Sequence, residues 1–121
     1  MAAVARVIDQ PLSPGPAAEP AIDTQHLFRM TLGELSLQRE VLALFDRQAD
    51  ILLPRIRQGT PAVAAASVHT LKGSAAGIGA FRVARAAEAV ERAKAAAVAA
   101  AVDTLAAVVD EAKSEIARLL R

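Results

Sequence analysis

Gly59, Thr60 and Pro61 stand in consecutive positions, and together they supply a helix stop, an N-cap and a first-turn proline. The chain therefore passes from one helix straight into another at this point. A second break lies at Gly77-Ile78-Gly79, where two glycines remove the side chains that resist a sharp turn. The segment between the breaks is predicted to be a helix from Pro61 to about Ala76.

Apolar residues recur at helical spacing on both sides of this segment. Upstream, Leu35, Leu42, Phe45, Ala49, Leu52 and Ile56 form one stripe, and Leu37, Val41, Leu44 and Ile51 form a second beside it. The pattern predicts a long helix buried over a wide face, kinked or frayed near Pro54. Thr31 and Glu34 have capping-box spacing for its start, and Asp23 can cap a shorter helix running to about Met30. Downstream, Val83, Ala87 and Val90 mark a fourth helix. Val98, Val102, Leu105, Val109, Ala112, Ile116 and Leu119 mark a fifth. No breaker separates these last two, so their boundary is not fixed by the sequence.

The hydrophobic fraction is 54% and the aromatic fraction 2%, a balance of alanine, valine and leucine suited to close helix packing rather than to strands. The fold class expected is all-α: an antiparallel up-down four-helix bundle with a short extra N-terminal helix. A length of 121 residues suits one domain. Pro11, Pro14, Pro16 and Pro20 disfavour helix before each ring, so residues 1–21 are expected to form a flexible tail and residues 22–121 the bundle.

Basic and acidic residues number 14 and 13 and are interspersed, which leaves no field to attract nucleic acid or an anionic membrane. Cysteine is absent, excluding a thiolate metal site, a disulfide and a cysteine nucleophile. The longest apolar run, Ala95 to Val102, falls short of a membrane span. No nucleic-acid or membrane partner is expected, and the location expected is cytoplasmic.

The chemistry-bearing residues lie on the third helix. Val68, Leu71 and Ala75 share one face, whereas Ala65, His69, Lys72, Gly73 and Ala76 share another. The apolar set points to the core, so His69 turns towards solvent. Lys72 is three residues on, near enough to place an ammonium beside a group carried on the imidazole. Gly73 is a poor helix former, about 1 kcal/mol worse than alanine, and its missing side chain clears space one turn from His69. Ala65 and Ala76 keep the same surface flat for a partner. His26 lacks such neighbours and reads as a surface residue. Ser74 is expected to bond back to a helical carbonyl, and Glu91 with Glu88, Arg92 and Arg85 reads as a solvated face with local ion pairs.

The run His69-Thr70-Leu71-Lys72-Gly73-Ser74-Ala75, followed by Gly79-Ala80, resembles the signature of histidine-containing phosphotransfer domains. Val83, Ala87, Val90 and Glu91 occupy places where that family has leucine, a small residue, leucine and glutamate, and Phe45 lies where an aromatic residue is common. The similarity covers about residues 23 to 120. Valine replaces leucine twice, Gly77 adds a glycine to the turn, and no loop signal precedes the last helix.

The resemblance implies that His69 is the phosphoacceptor, Lys72 an electrostatic neighbour of the phosphoryl group and Gly73 the residue that gives steric clearance. It implies a two-component phosphorelay in which the partners are a response-regulator receiver domain, a hybrid histidine kinase, or both. No cofactor or metal site of its own is expected, with magnesium and the aspartate coming from the receiver. The chain would then be a monomeric, stoichiometric carrier without turnover of its own. A neutral imidazole can attack the phosphorus of an acyl phosphate, and the labile P–N bond formed suits a reversible relay. A kinase is disfavoured because no Gly-rich phosphate loop is present. The alternative is a non-catalytic adaptor bundle in which His69 is dispensable.

Overall fold

A computed structural model describes residues 19–121, and among these every regular element is helical. The helices are α1 (Thr24–Met30), α2 (Leu35–Gln58), α3 (Pro61–Ile78), α4 (Phe81–Arg92) and α5 (Ala97–Leu120). None of them is long and apolar enough to cross a membrane. The tail expected over residues 1–21 lies, up to residue 18, outside the described residues. Just beyond it Glu19 pairs with Arg85, Ile22 is buried in the core, and the Asp23 amide donates to the Gly79 carbonyl at 2.9 Å.

α1 starts as its sequence requires, the Asp23 carboxylate accepting from the His26 amide at 3.1 Å. The capping box expected at Thr31 and Glu34 does not form. Leu32 and Gly33 both adopt positive φ to reverse the chain, which leaves Thr31 in the last turn of α1. Its hydroxyl donates to the Leu27 carbonyl at 2.7 Å. Glu34 is instead the N-cap residue of α2, without a side-chain bond.

α2 buries Leu42, Phe45, Ala49, Leu52 and Ile56. The wide buried face predicted for it is narrower in fact. Leu35, Leu44 and Ile51 are exposed and Leu37 and Val41 only half-buried, because α3 and α5 cover one side of the helix and leave the other open. Nor does α2 fray at Pro54, since it continues to Gln58. Proline removes the bond to the Asp50 carbonyl, but the buried Leu52 and Ile56 on either side of it anchor the last turns.

α3 opens with the Thr60 hydroxyl accepting from the Val63 amide at 3.3 Å and with Pro61 in the first turn. It ends two residues later than predicted, so that Gly77 is helical and Gly79, at φ 86°, makes the turn. The amides of Gly79 and Ala80 return to the carbonyls of Ala76 at 3.3 Å and Ala75 at 2.8 Å, satisfying the end of the helix. The α4–α5 connection spans residues 93–96 and includes Ala95 at φ 51°.

The largest fully buried side chains are Phe45 of α2, Leu71 of α3, Val83 of α4, and Leu105, Val109 and Ile116 of α5. Burying each contributes about 1.5–3 kcal/mol. Successive long helices pack on one another, α5 returns to α2, and α1 leans on α3. Arg39 reaches the Leu120 carbonyl at 2.7 Å, Lys113 bridges Asp46 and Asp50 at 2.7 and 2.8 Å, and Arg57 meets Asp103 at 3.1 Å. Rising numbers on α2 meet falling numbers on α5, so these two helices run antiparallel.

Candidate functional site

Val68, Leu71 and Ala75 are buried, and packing these three fixes the rotation of α3 about its axis. His69 is turned outward by that rotation, with its side chain 77% exposed. Ala65 and Gly73 are exposed and Lys72 and Ala76 half-buried, so the face predicted to surround His69 is accessible to a partner.

Across the α3–α4 packing, Glu91 faces this cluster. Lys72 Nζ donates to Glu91 Oε1 at 2.7 Å, and Glu91 Oε2 stands 3.6 Å from His69 Nδ1. One carboxylate thus addresses both Lys72 and His69 of α3. The hydrogen bond from Lys72 holds the Glu91 carboxyl below the usual carboxylate range. A smaller opposing effect of burial is outweighed by that bond together with attraction to Lys72 and the nearness of His69. A carboxylate on the Nδ1 side favours a proton on that nitrogen, and leaves Nε2, on the far edge of the ring, as the nitrogen with a free lone pair.

Gly73 leaves real space, because a Cβ built there meets nothing within 4 Å. No packing contact demands glycine, and the surface one turn from His69 stays open. Gly77, one turn further on, is equally open. Beside it a groove of about 320 Å³ runs between α1, α2 and α3, lined by Met30, Val41, Leu44, Ser74 and Gly77 among others. Ser74 contributes to this groove, whereas it is Ser67 whose hydroxyl bonds back along the helix, to the Val63 carbonyl at 2.8 Å.

Two residues read as plain surface are more than that. Glu91 is not merely part of a solvated face; its position opposite Lys72 depends on how α4 crosses α3, and the only sequence signal for it was the family pattern. His26 is half-buried, its ring edge-on to Phe81 with centroids 5.0 Å apart. Its Nε2 is buried without a hydrogen-bond partner. Among the described residues no group of three or more His, Asp or Glu side chains is placed to hold a metal ion.

The all-helical fold displays a histidine on the surface of one helix, flanked by a lysine, a carboxylate and an open glycine. The sequence profile of the Hpt domain matches residues 26–119, and the chain belongs to the Hpt domain family. Neither the curated proteins nor the solved structures compared with it give a match. Hpt domains serve histidine phosphotransfer in two-component systems, where they meet histidine kinases and receiver domains.

Proposed function

We propose that the chain is a stoichiometric phosphoryl carrier whose acceptor atom is His69 Nε2. The observation that carries the proposal is the arrangement on the bundle surface. His69 projects into solvent, Glu91 lies 3.6 Å from its Nδ1, and the space beside Gly73 is empty. The architecture that suits this task is an antiparallel up-down bundle of α2 to α5 with α1 as an extra element, a reading supported by the antiparallel pairing of α2 and α5.

Attack by the Nε2 lone pair on an aspartyl phosphate forms a P–N bond as the P–O bond to the partner's carboxylate breaks. Positive charge develops on the imidazole, and the nearby Glu91 carboxylate stabilises it while the proton stays on Nδ1. Lys72, held by Glu91, is within reach of the transferred phosphoryl oxygens. In the reverse direction the same bonds exchange roles, so the imidazole can pass the group on to a receiver aspartate. The receiver's acidic site brings the magnesium ion that screens the charge of the phosphoryl group. Ala65, Gly73 and Ala76 keep the approach flat for that partner. The reading places the protein in the cytoplasm, acting between a hybrid kinase and a response regulator and without turnover of its own.

The test is to incubate the protein with a phosphorylated receiver domain and with a phosphorylated hybrid kinase, then look for acid-labile, alkali-stable label. Label on the wild type and none on His69→Gln is the expected result. Label that persists on the variant moves the acceptor elsewhere, and a wild type that stays unlabelled with every partner favours an adaptor role.

A further inference from the structure

The short Gly59-Thr60 connection folds α3 back along α2, and a groove of about 260 Å³ between the two is lined by Leu52, Arg55, Val63, Ala66, Ser67 and Thr70. Thr70 is the residue after His69, and Arg55 is exposed. Arg29, Arg47, Arg55, Lys94 and Arg121 form no ion pair among the described residues. Their positions differ. The grooves lined by Arg29 and Arg47 contain no residue of α3, and Lys94 and Arg121 stand beyond the ends of α4 and α5. Arg55 shares its groove with the helix that carries the histidine. Helical side chains lean towards the N-terminus of their own helix, and in an antiparallel pair these leans oppose one another. His69 therefore inclines over the turn of Ala65 and Ala66, while Arg55 inclines from the level of Ala66 towards that of Thr70. Ala66 is exposed and puts only a methyl group between them.

We infer that Arg55 is a second phosphoryl-binding residue, which closes on the α2 side of the group carried by His69; the inference rests on the reading of His69 as the acceptor. The local charge calls for such a group. On the α4 side, Lys72 is already engaged by Glu91 at 2.7 Å, so that pair has no net charge, and the Glu91 carboxylate stands 3.6 Å from the imidazole. Phosphorylation adds about two negative charges to the same ring. An unengaged cation across the groove is drawn to them, and no existing ion pair has to break. A guanidinium also suits the ligand, because its planar fork can donate two parallel hydrogen bonds to phosphoryl oxygens. Arg55 lies in the last turn of α2, where a cation favours the helix end in any case. That local role is the same whether or not His69 is phosphorylated, which separates the two experimentally.

Phosphoramidate tests this without a protein partner, since it passes its phosphoryl group to imidazole and releases ammonia; His69→Gln locates the label. In the wild type, exchange of the Arg55 Nε–H should slow at least about threefold when His69 is phosphorylated. The phosphorus resonance of the phosphohistidine should move in Arg55→Gln, move less in Arg55→Lys, and stay in place in Arg47→Gln and Lys94→Gln, which remove unpaired charges elsewhere. Arg55→Gln should also shift the transfer equilibrium with a receiver domain about threefold towards the receiver, with Arg55→Lys recovering most of the loss. Arg55 exchange that is equal in both forms, or a resonance that moves as far in Arg47→Gln or Lys94→Gln as in Arg55→Gln, would overturn the inference while leaving His69 as the acceptor. A wild type that takes no label at His69 would overturn that reading and the inference with it.

Discussion

Lys72 on α3 and Glu91 on α4 are joined at 2.7 Å, and the carboxylate that holds the lysine also faces Nδ1 of His69. The pair therefore couples the helix that carries the histidine to its neighbour, and sets the charge that the imidazole experiences. Because the Lys72 hydrogen bond lowers the Glu91 pKa from its ordinary 4.5, the folded group stays ionised at a pH where the unfolded one is protonated. Its contribution is complete above pH 4.5 and disappears as the pH falls through the lowered folded value. Carboxyl chemical shifts should give Glu91 a midpoint below 4.5, and Lys72→Ala should move it back up. Glu91→Gln should slow phosphorylation of His69 by about tenfold through loss of charge at Nδ1. An unchanged rate would remove Glu91 from the mechanism.

Gly73 should separate stability from transfer. Alanine there meets no atom within 4 Å, so Gly73→Ala should stabilise the fold by about 0.5–1 kcal/mol and raise Tm by about 3–6 °C. Gly73→Gln, which fills the space beside His69, should fold as well and yet lose at least about tenfold in transfer rate from a receiver. Gly77→Ala is the control, with the same stabilisation and little change in transfer. Equal rates for the wild type and Gly73→Gln would show that clearance is not the role of this glycine.

Gly79 should behave in the opposite way. Its φ is 86° and an added Cβ would lie 2.7 Å from the Asp23 carbonyl oxygen, a backbone atom that moves only if the segment carrying the buried Ile22 moves too. Gly79→Ala should cost about 2–4 kcal/mol in chemical denaturation, with hydrogen exchange accelerated first in α1. A loss under about 0.5 kcal/mol would mean that α1 is loosely attached.

Lys113 ties α5 to α2. Burial pushes its ammonium down, but hydrogen bonds to Asp46 and Asp50, with attraction to both carboxylates, outweigh burial and raise it above its ordinary 10.5. A raised lysine contributes fully below pH 10.5, and that contribution disappears as the pH rises through the higher folded value. Lys113→Met should cost about 1 kcal/mol at pH 7, and the difference from the wild type should shrink in denaturation series above pH 10.5. A difference that is independent of pH would assign the loss to packing alone.

The helical class, the Gly59-Thr60-Pro61 junction and the outward rotation of His69 could be read from the chain alone. These are local properties: side-chain period, caps and breakers act within a turn or two of themselves, and a face that carries Val68, Leu71 and Ala75 has to leave His69 on the other side. Tertiary structure decided what depends on a second segment. Thr31 and Glu34 have the spacing of a capping box, but the reversal at Leu32 and Gly33 needed to lay α1 on α3 took Thr31 for the end of α1. Leu44 and Ile51 have the period of buried residues, yet five helices cannot cover both sides of α2. The alanines around residue 95 suit a helix as well as a turn, so only the packing of α5 against α2 and α4 could end α4 where it does. Glu91 belongs to the site for the same reason. It lies 22 positions after His69 in sequence, and the α3–α4 crossing brings its carboxylate to 3.6 Å from the imidazole.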